Sequence, residues 1–289
     1  MEQPVLSLRT LLIGNALALA LVLGLQALFP TTLLDFELRI IDSRFRVRQA
    51  LDLAPPFSER LVHINIDNYA KTQSETPLWE KQTYARLINN IAAAQPEAIA
   101  CDIMFVNWAE QSGNEALVQA AINAGNLVSP FLVDPSPDAA RAPAALALDA
   151  NPRLTPGKAP HAGGVLVAPF DALMEQSAGL GFVNLQPDPD GVIRRVPLLM
   201  ELDGALVPSF FLQALAVQLD YDLEQIEVSN RSQVVLHNFP KPDTGMARDL
   251  TLPLDRDGNL LVNYAGPLDI AIYPNSYSAW NLLTASATP

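Results

Sequence analysis

The sequence predicts an α/β (α+β) protein, in which an N-terminal transmembrane helix precedes a mixed sheet with helices packed on it. Two observations predict this class. Apolar, β-branched runs at 61–67 and 97–105 flank a segment with helical spacing, which is the order of a parallel βαβ unit. Further along the chain, short strand-like runs are separated by Asp-Gly pairs, which favour antiparallel hairpins.

Composition excludes several classes of protein. The 289 residues are 49% hydrophobic, which supports a packed core and argues against general disorder. The formal net charge of -13 argues against a nucleic-acid partner, because phosphate binding depends on clustered Lys and Arg. The one cysteine, Cys101, excludes an internal disulfide and a zinc site with several cysteines.

The first element is an uncharged segment, residues 11–29. As a helix it would be about 28 Å long at ~1.5 Å per residue, which matches the hydrocarbon core of a bilayer. We therefore predict a membrane anchor at residues 1–34, with the transmembrane helix at about 11–29. A cleaved signal peptide and a buried core helix are the alternatives. The length of the apolar region, and the lack of a small-x-small site after it, favour the anchor.

The orientation of this anchor is ambiguous from local charge. Arg9 is the only basic residue before the segment, whereas Arg39, Arg44, Arg46 and Arg48 follow it closely. Taken alone, the positive-inside rule would place the rest of the chain in the cytoplasm. The arginines that follow the segment could also contact anionic lipid headgroups.

The next elements form the parallel part. After the strand at 61–67, the spacing of apolar residues predicts a helix over 81–95, which Pro96 ends. The strand at 97–105 follows, and a second helix then leads to a third strand at 126–133. Residues 134–164 are rich in Pro and Ala, so we expect an extended surface loop.

The second half of the chain has the character of an antiparallel sheet. Residues 179–209 are expected to form consecutive strands that turn at Asp190-Gly191 and Asp203-Gly204. A helix starting after Pro208 and Ser209 follows. Short strands then continue to residue 266, with a third turn at Asp257-Gly258.

Two carboxylates occupy matching positions at strand ends, Asp67 and Asp102. Ligands bind beyond the carboxyl ends of strands in α/β sheets, so both are candidate ligand-binding residues. The alternative is that each carboxylate caps a neighbouring turn or helix. The common nucleophile, zinc-protease and phosphate-loop motifs are absent, and His63, His161 and His237 are far apart in sequence. We therefore expect no catalytic residue, no metal site and no cofactor.

The motifs Asp-Pro-Asp-Gly (188–191) and Asp-Arg-Asp-Gly (255–258) resemble the start of a calcium loop. Position 12 of such a loop requires a carboxylate, but here it is Leu199 or Gly266. We therefore interpret Asp188, Asp190, Gly191, Asp257 and Gly258 as structural turn residues.

Two arginines follow the first of these motifs and, by strand alternation, face opposite sides. They are Arg194 and Arg195. One could pair with Asp188 or Asp190 while the other meets an anion. Arg194 is therefore a third candidate ligand-binding residue.

The assembled motifs resemble the second family of CHASE sensory domains. The most specific piece is GFVNLQPDPDGVIRRVPL (181–198), which is similar to that family's G-x-x-N…D-x-D-G-x-x-R-x-x-P-L signature. IIDSRFRVR, LVHINIDNYA and YPNSYSAWNLL also occur in the family's order. The resemblance covers about residues 35–285. In the family, a P-W-P-R-like stretch stands where this chain has PLWE, and a second acid and a serine follow the position of Asp67.

This resemblance implies a sensor in the inner membrane of a bacterium, with residues 35–289 on the extracytoplasmic side. In the family, further membrane helices and a cytoplasmic output module follow, such as an adenylate cyclase or a histidine kinase. These later spans would outweigh the arginine bias. The chain would then be an N-terminal fragment or a truncated product.

The partners implied are the membrane, an unknown small-molecule or physical stimulus, and a second copy in a homodimer. Two other functions stay open. One is a membrane-anchored, metal-dependent hydrolase that uses Asp67 and Asp102. The other is a dimerisation module without a ligand.

Overall fold

The computed structural model describes residues 8–73, 79–106, 112–134, 159, 161–202, 205–230, 232–241, 246–266 and 275–284. The chain divides into two compact units. The first, the stalk unit, comprises residues 1–58 and 263–273, and the second, the sheet unit, comprises residues 59–262 and 274–289.

The stalk unit contains two long helices, α1 (Leu8–Leu28) and α2 (Pro30–Ala50). The helix break lies at Phe29, which has φ −135° and ψ 61°. Pro30 then starts α2 at a position where its missing N–H costs nothing. Helix α1 corresponds to the segment predicted at 11–29. By length and composition, residues 9–28 could cross a membrane, a property that signal sequences share.

The C-terminal end of α2 is packed by residues 263–266. The ring of Tyr264 meets Phe45 edge-on at 6.0 Å between ring centroids. The Arg48 guanidinium lies 5.0 Å from the centroid of the Phe45 ring. It also donates to the Asn263 side chain and to the Tyr264 carbonyl. This polar and aromatic contact ties the returning chain to the helix within the stalk unit.

The sheet unit contains several shorter helices and many short strands. Its helices are α3 (Asn68–Gln73), α4 (Lys81–Ala92), α5 (Asn114–Ala124), α6 (Asp171–Gln176), α7 (Phe210–Leu219) and α8 (Ala279–Thr284). Its first strands are β1 (His63–Asn65), β2 (Ile99–Ala100), β3 (Leu127–Asp134), β4 (His161–Ala162), β5 (Gly164–Val167), β6 (Gly179–Phe182) and β7 (Arg195–Pro197). The later strands are β8 (Leu199–Leu202), β9 (Ala205–Pro208), β10 (Ile226–Asn230), β11 (Gln233–Pro240), β12 (Ala247–Pro253), β13 (Asn259–Leu261) and β14 (Ser276–Ser278).

The parallel part begins one strand later than the sequence suggests. Strand β2 pairs in parallel with β3, and α5 connects them, so β2–α5–β3 is the βαβ unit. Strand β3 also pairs in parallel with β6 and antiparallel with β5. The expected partnership of β1 with β2 is replaced by a parallel pair of β1 with β14. Sequence proximity did not reveal this partner, which lies more than two hundred residues away.

The antiparallel part consists of separate small sheets. Strands β8 and β9 form a hairpin, β10, β11 and β12 form a three-stranded sheet, and β7 pairs with β13. The turn predicted at Asp203-Gly204 lies outside the described residues, as does most of the Pro/Ala-rich segment 134–164. Near the end of that segment, β4 pairs in parallel with β8, so a strand occurs there instead of a loop.

Helix α7 packs against strands of more than one sheet. Its Leu212 and Ala216 pack in one apolar cluster with Val234 and Leu236 of β11. At its start, α7 approaches β6 so closely that a Cβ on Gly181 would lie 2.4 Å from the Phe210 Cα atom. Glycine is therefore required for this helix-to-strand contact.

Candidate functional site

The two Asp-x-Asp-Gly motifs form loops with the same backbone geometry, which we call the paired loops (188–191 and 255–258). In the first, the Asp188 N–H donates to the Val192 carbonyl at 2.9 Å, and the Gly191 N–H donates to the Asp188 carbonyl at 2.8 Å. In the second, Asp255 and Gly258 make the equivalent bonds, at 2.8 and 3.2 Å.

The fourth residue of each loop adopts the left-handed conformation, with φ +81° at Gly191 and +84° at Gly258. Glycine adopts this conformation without steric cost. Asp190 and Asp257 precede these glycines. The Asp257 N–H donates to the Asp255 carboxylate at 2.9 Å, which closes the second loop locally.

Strands β7 and β13 follow the paired loops and pair with each other, with Pro197 opposite Asn259 and Arg195 opposite Leu261. The Val262 N–H then donates to the Arg194 carbonyl at 2.9 Å. The sequence therefore brings together two loops that are far apart along the chain.

Arg194 is the buried charge of this region. It is 2% exposed, and its guanidinium is bound by both carboxylates of the first loop. Its Nη1 lies 3.0 Å from Asp188 Oδ2 and 2.9 Å from Asp190 Oδ1, and its Nη2 lies 2.8 Å from Asp190 Oδ2. Two-pronged bonding of this kind is among the strongest hydrogen bonding available to a carboxylate. Arg194 is therefore buried and paired with carboxylates, and its role as a ligand-binding residue stays a prediction.

Arg195 joins the two loops. Its Nη1 lies 2.8 Å from Asp188 Oδ1, and its Nε lies 3.3 Å from Asp255 Oδ2. From the sequence, one arginine could pair with a carboxylate while the other meets an anion, and in the structure both arginines pair with carboxylates. Three carboxylates and two guanidinium groups leave this cluster with one net negative charge.

The Arg194 hydrogen bond lowers the pKa of Asp190 from 3.8 to about 2. Hydrogen bonding to the ionised form favours that form, whereas partial desolvation opposes it. Asp190 therefore stays ionised at pH values where an ordinary aspartic acid is already protonated.

Asp67 stands where β1 leads into α3. Its Oδ1 accepts from the Ala70 N–H at 2.7 Å and from the Ser278 hydroxyl at 3.0 Å. Beside it on the same strand pair, the Asn65 amide donates to the Ser276 hydroxyl at 2.7 Å. The contacts of Asp67 are those of a capping carboxylate, the alternative that the sequence left open.

Asp102 follows β2 and lies beside the thiol of Cys101. Burial, with a smaller contribution from the Asp102 charge, raises the pKa of Cys101 to about 12. Because the thiolate is the reactive form of cysteine, this shift lowers the reactivity of the thiol at neutral pH. Cys101 packs against the apolar cluster that contains Ile99 and Phe105.

Within the described ranges, no group of three or more His, Cys, Asp or Glu side chains could hold a metal ion. Asp67 belongs to the pair of β1 with β14, and Asp102 follows the pair of β2 with β3. The two candidates therefore stand at the ends of different strand pairs.

One polar cluster in the described part of the chain was not expected from the sequence, which gave His237 no partner. His237 of β11 lies between Glu227 of β10 and Asp249 of β12. Its three members come from separate strands, so only the register of the sheet reveals them. A histidine in an alternating strand, with one acid in each neighbouring strand, was the signal available.

Comparison with protein families places the chain among the sensory extracellular domains of signalling proteins. The match is to the CHASE2 domain and covers residues 16–289. The chain belongs to the CHASE2 family, as the resemblance in its Asp-Pro-Asp-Gly region had indicated. Neither a curated protein nor a solved structure matched the chain.

Proposed function

We propose that this chain is the sensory part of a receptor in the inner membrane of a bacterium. Helix α1 anchors it, and residues 35–289 lie on the extracytoplasmic side. The observation that carries the proposal is a family match that runs from within α1 to residue 289. A domain of an extracellular sensory family directly after an uncharged helix of membrane-spanning length is the order expected of such a receptor.

The proposed receptor passes its signal to an output module such as an adenylate cyclase or a histidine kinase. A small molecule or a physical stimulus shifts the sensory domain between two states. Helix α2 lies directly between α1 and the sheet unit in sequence, so it is the segment through which that change reaches the membrane.

Reporter fusions test the topology. Alkaline phosphatase folds only after export, so we expect activity when it is fused after Pro289. Deletion of residues 8–28 should abolish this activity, because the chain then lacks its export segment. A fusion of β-galactosidase at the same position should be inactive. Active β-galactosidase together with inactive phosphatase would contradict the proposal.

Membrane fractionation separates an anchor from a cleaved signal peptide. We expect the full-length chain to stay in the membrane pellet after alkaline carbonate washing, with an intact N-terminus by mass spectrometry. A soluble product that begins after residue 28 would show that α1 is removed.

A further inference from the structure

His237 has a carboxylate at each of its two ring nitrogens. Its Nε2 lies 3.0 Å from Glu227 Oε2, and its Nδ1 lies 3.0 Å from Asp249 Oδ2. Glu227 belongs to β10 and Asp249 to β12, while His237 lies on β11 between them. The imidazole therefore bridges all three strands of this sheet.

The backbone holds the ring in this position. The register between β11 and β12 shifts between Leu236 and Phe239, and Asn238 has a positive φ of 50°. The Asn238 N–H donates to Asp249 Oδ1 at 3.0 Å, so one oxygen of this carboxylate is fixed while the other faces the ring. The Tyr221 hydroxyl donates to the His237 carbonyl at 3.0 Å.

This arrangement suits only the protonated ring. A neutral imidazole has one N–H donor and one acceptor nitrogen, and an ionised carboxylate only accepts. A neutral His237 would therefore turn a lone pair toward one carboxylate oxygen. The imidazolium form has two donors and satisfies both carboxylates with charge-assisted hydrogen bonds.

The charged groups around the ring are mainly acidic. Glu227 faces it from β10 and Asp249 from β12, whereas Gln225 contributes only a neutral contact to Asn238. Arg248 precedes Asp249 and, by strand alternation, projects from the opposite face of β12. The His237 side chain is 23% exposed, so protons from the surrounding water reach it.

We propose that His237, Glu227 and Asp249 form a proton-operated clasp across β10, β11 and β12, and that protons are a stimulus of this sensor. Below neutral pH the protonated ring ties both outer strands to the middle one. As the pH rises, His237 loses its proton, one tie is lost, and the sheet loosens. The clasp itself rests on geometry, whereas its role as a sensor of external pH rests on the proposed function.

The first test is a titration of the full-length chain in detergent micelles, with ¹⁵N-labelled histidine followed by NMR. The His237 signals are assigned by their loss in His237→Gln. We expect the His237 midpoint to lie above that of the histidines in the same chain unfolded in urea. Glu227→Gln and Asp249→Asn should each lower it, because each removes one negative charge.

Glu175→Gln is the matched control, since it removes an exposed acid from α6 and should leave the His237 midpoint unchanged. A wild-type midpoint equal to that of the unfolded chain would overturn the clasp. The clasp would also be overturned if neither Glu227→Gln nor Asp249→Asn lowers the His237 midpoint. Asp249→Asn keeps an oxygen acceptor for the Asn238 N–H, so the sheet retains that bond.

The second test is hydrogen exchange of the same chain on both sides of the measured midpoint, corrected for the intrinsic pH dependence. Amides of β10–β12 should exchange several-fold faster above it in the wild type, and His237→Gln should remove this difference. Equal protection on both sides would overturn the clasp. If His237 titrates as expected but the reporter fusions place residue 289 in the cytoplasm, the clasp stands and only its role as a sensor of external pH is overturned. If His237 does not titrate as expected but the phosphatase fusion is exported, the clasp is overturned and the proposed function stands.

Discussion

The buried guanidinium of Arg194 is held by two carboxylates that lie four and six residues earlier in the chain. A buried ion pair adds little net stability over apolar residues of the same size, but removing one partner exposes the cost of burying the other. Removal of Arg194 should therefore destabilise the chain mainly because Asp188, which is 14% exposed, would lose a partner for its charge.

We predict that Arg194→Ala lowers the free energy of unfolding by about 2–3 kcal/mol, below the full cost of an isolated buried charge because Arg195 still faces Asp188. Chemical denaturation of the full-length chain in detergent measures this change. Arg60→Ala is the control. Its pair with Glu97 is about half exposed, so the loss should be under about 1 kcal/mol. Equal losses in the two variants would contradict the prediction.

The lowered pKa of Asp190 should make the stability of the folded chain depend on pH in the acid range. Its pKa is about 2 in the folded chain against an ordinary 3.8, so the folded state favours the ionised form. This contribution is present above pH 3.8 and is lost as the pH falls through about 2. Thermal unfolding across this window should therefore show a steeper loss in the wild type than in Asp190→Asn. Parallel curves would show that the Arg194 bond has no such effect.

Cys101 should resist alkylation while the chain is folded. Its pKa is raised to about 12, so almost no thiolate exists at pH 8. Iodoacetamide labelling in native detergent should be at least tenfold slower than in urea. Labelling at the same rate under both conditions would show that the apolar cluster around Cys101 is open.

Among the elements, α7 and β6 depend on one glycine for their contact. A Cβ at Gly181 would meet the backbone of Phe210 at 2.4 and 2.6 Å, whereas one at Gly179 would meet the flexible Gln213 side chain. We predict that Gly181→Ala destabilises the chain by about 2–3 kcal/mol, since backbone atoms must move. Gly179→Ala, the matched variant, should cost clearly less in the same denaturation experiment. The reverse order would contradict the contact.

The elements also show what the sequence could predict. Helix α4, which has strong apolar spacing, was expected at 81–95 and occupies Lys81–Ala92, because local spacing determines which face of a helix is buried. Strand partners were harder to predict. The pairing of β1 with β14 depends on residues beyond the reach of any local pattern.

The candidate site also has one part that local sequence predicts and another part that depends on strand pairing. The conformation of the paired loops follows from their own Asp and Gly residues, so their turns could be predicted. The bonds from Arg195 to both loops depend on the pairing of β7 with β13, and the position of His237 depends on the register of three strands. Neither contact has a signal in adjacent residues.

At the scale of the whole molecule, charged residues are distributed unevenly along the chain. No charged residue occurs from Thr10 to Leu34, and apart from Glu2 and Arg9 every charged side chain lies in residues 35–289. An acidic region after an uncharged helix is consistent with the proposed export of that region.

The homodimer expected from the family resemblance leads to a prediction about α2. Phe36, Ile40 and Val47 are exposed on this helix, and their spacing of four and seven residues is typical of a helix–helix seam. In a Cys101→Ser background, we expect Ile40→Cys to form disulfide-linked dimers when membranes that contain the chain are treated with an oxidant. Arg39→Cys, one residue away, should cross-link less. Equal cross-linking at both positions would argue against a seam.

The pairing of β7 with β13 also bears on the order in which the protein folds. Residues 198–258 lie between the register partners Pro197 and Asn259, so this pair forms only after the whole segment has left the ribosome. Closing such a long loop carries an entropic cost that local contacts avoid. The partners of Arg194, in contrast, are already within six residues of it. The charge of Arg194 can therefore be neutralised early in folding. The bond from Arg195 to Asp255 forms later, because it requires the pairing of β7 with β13.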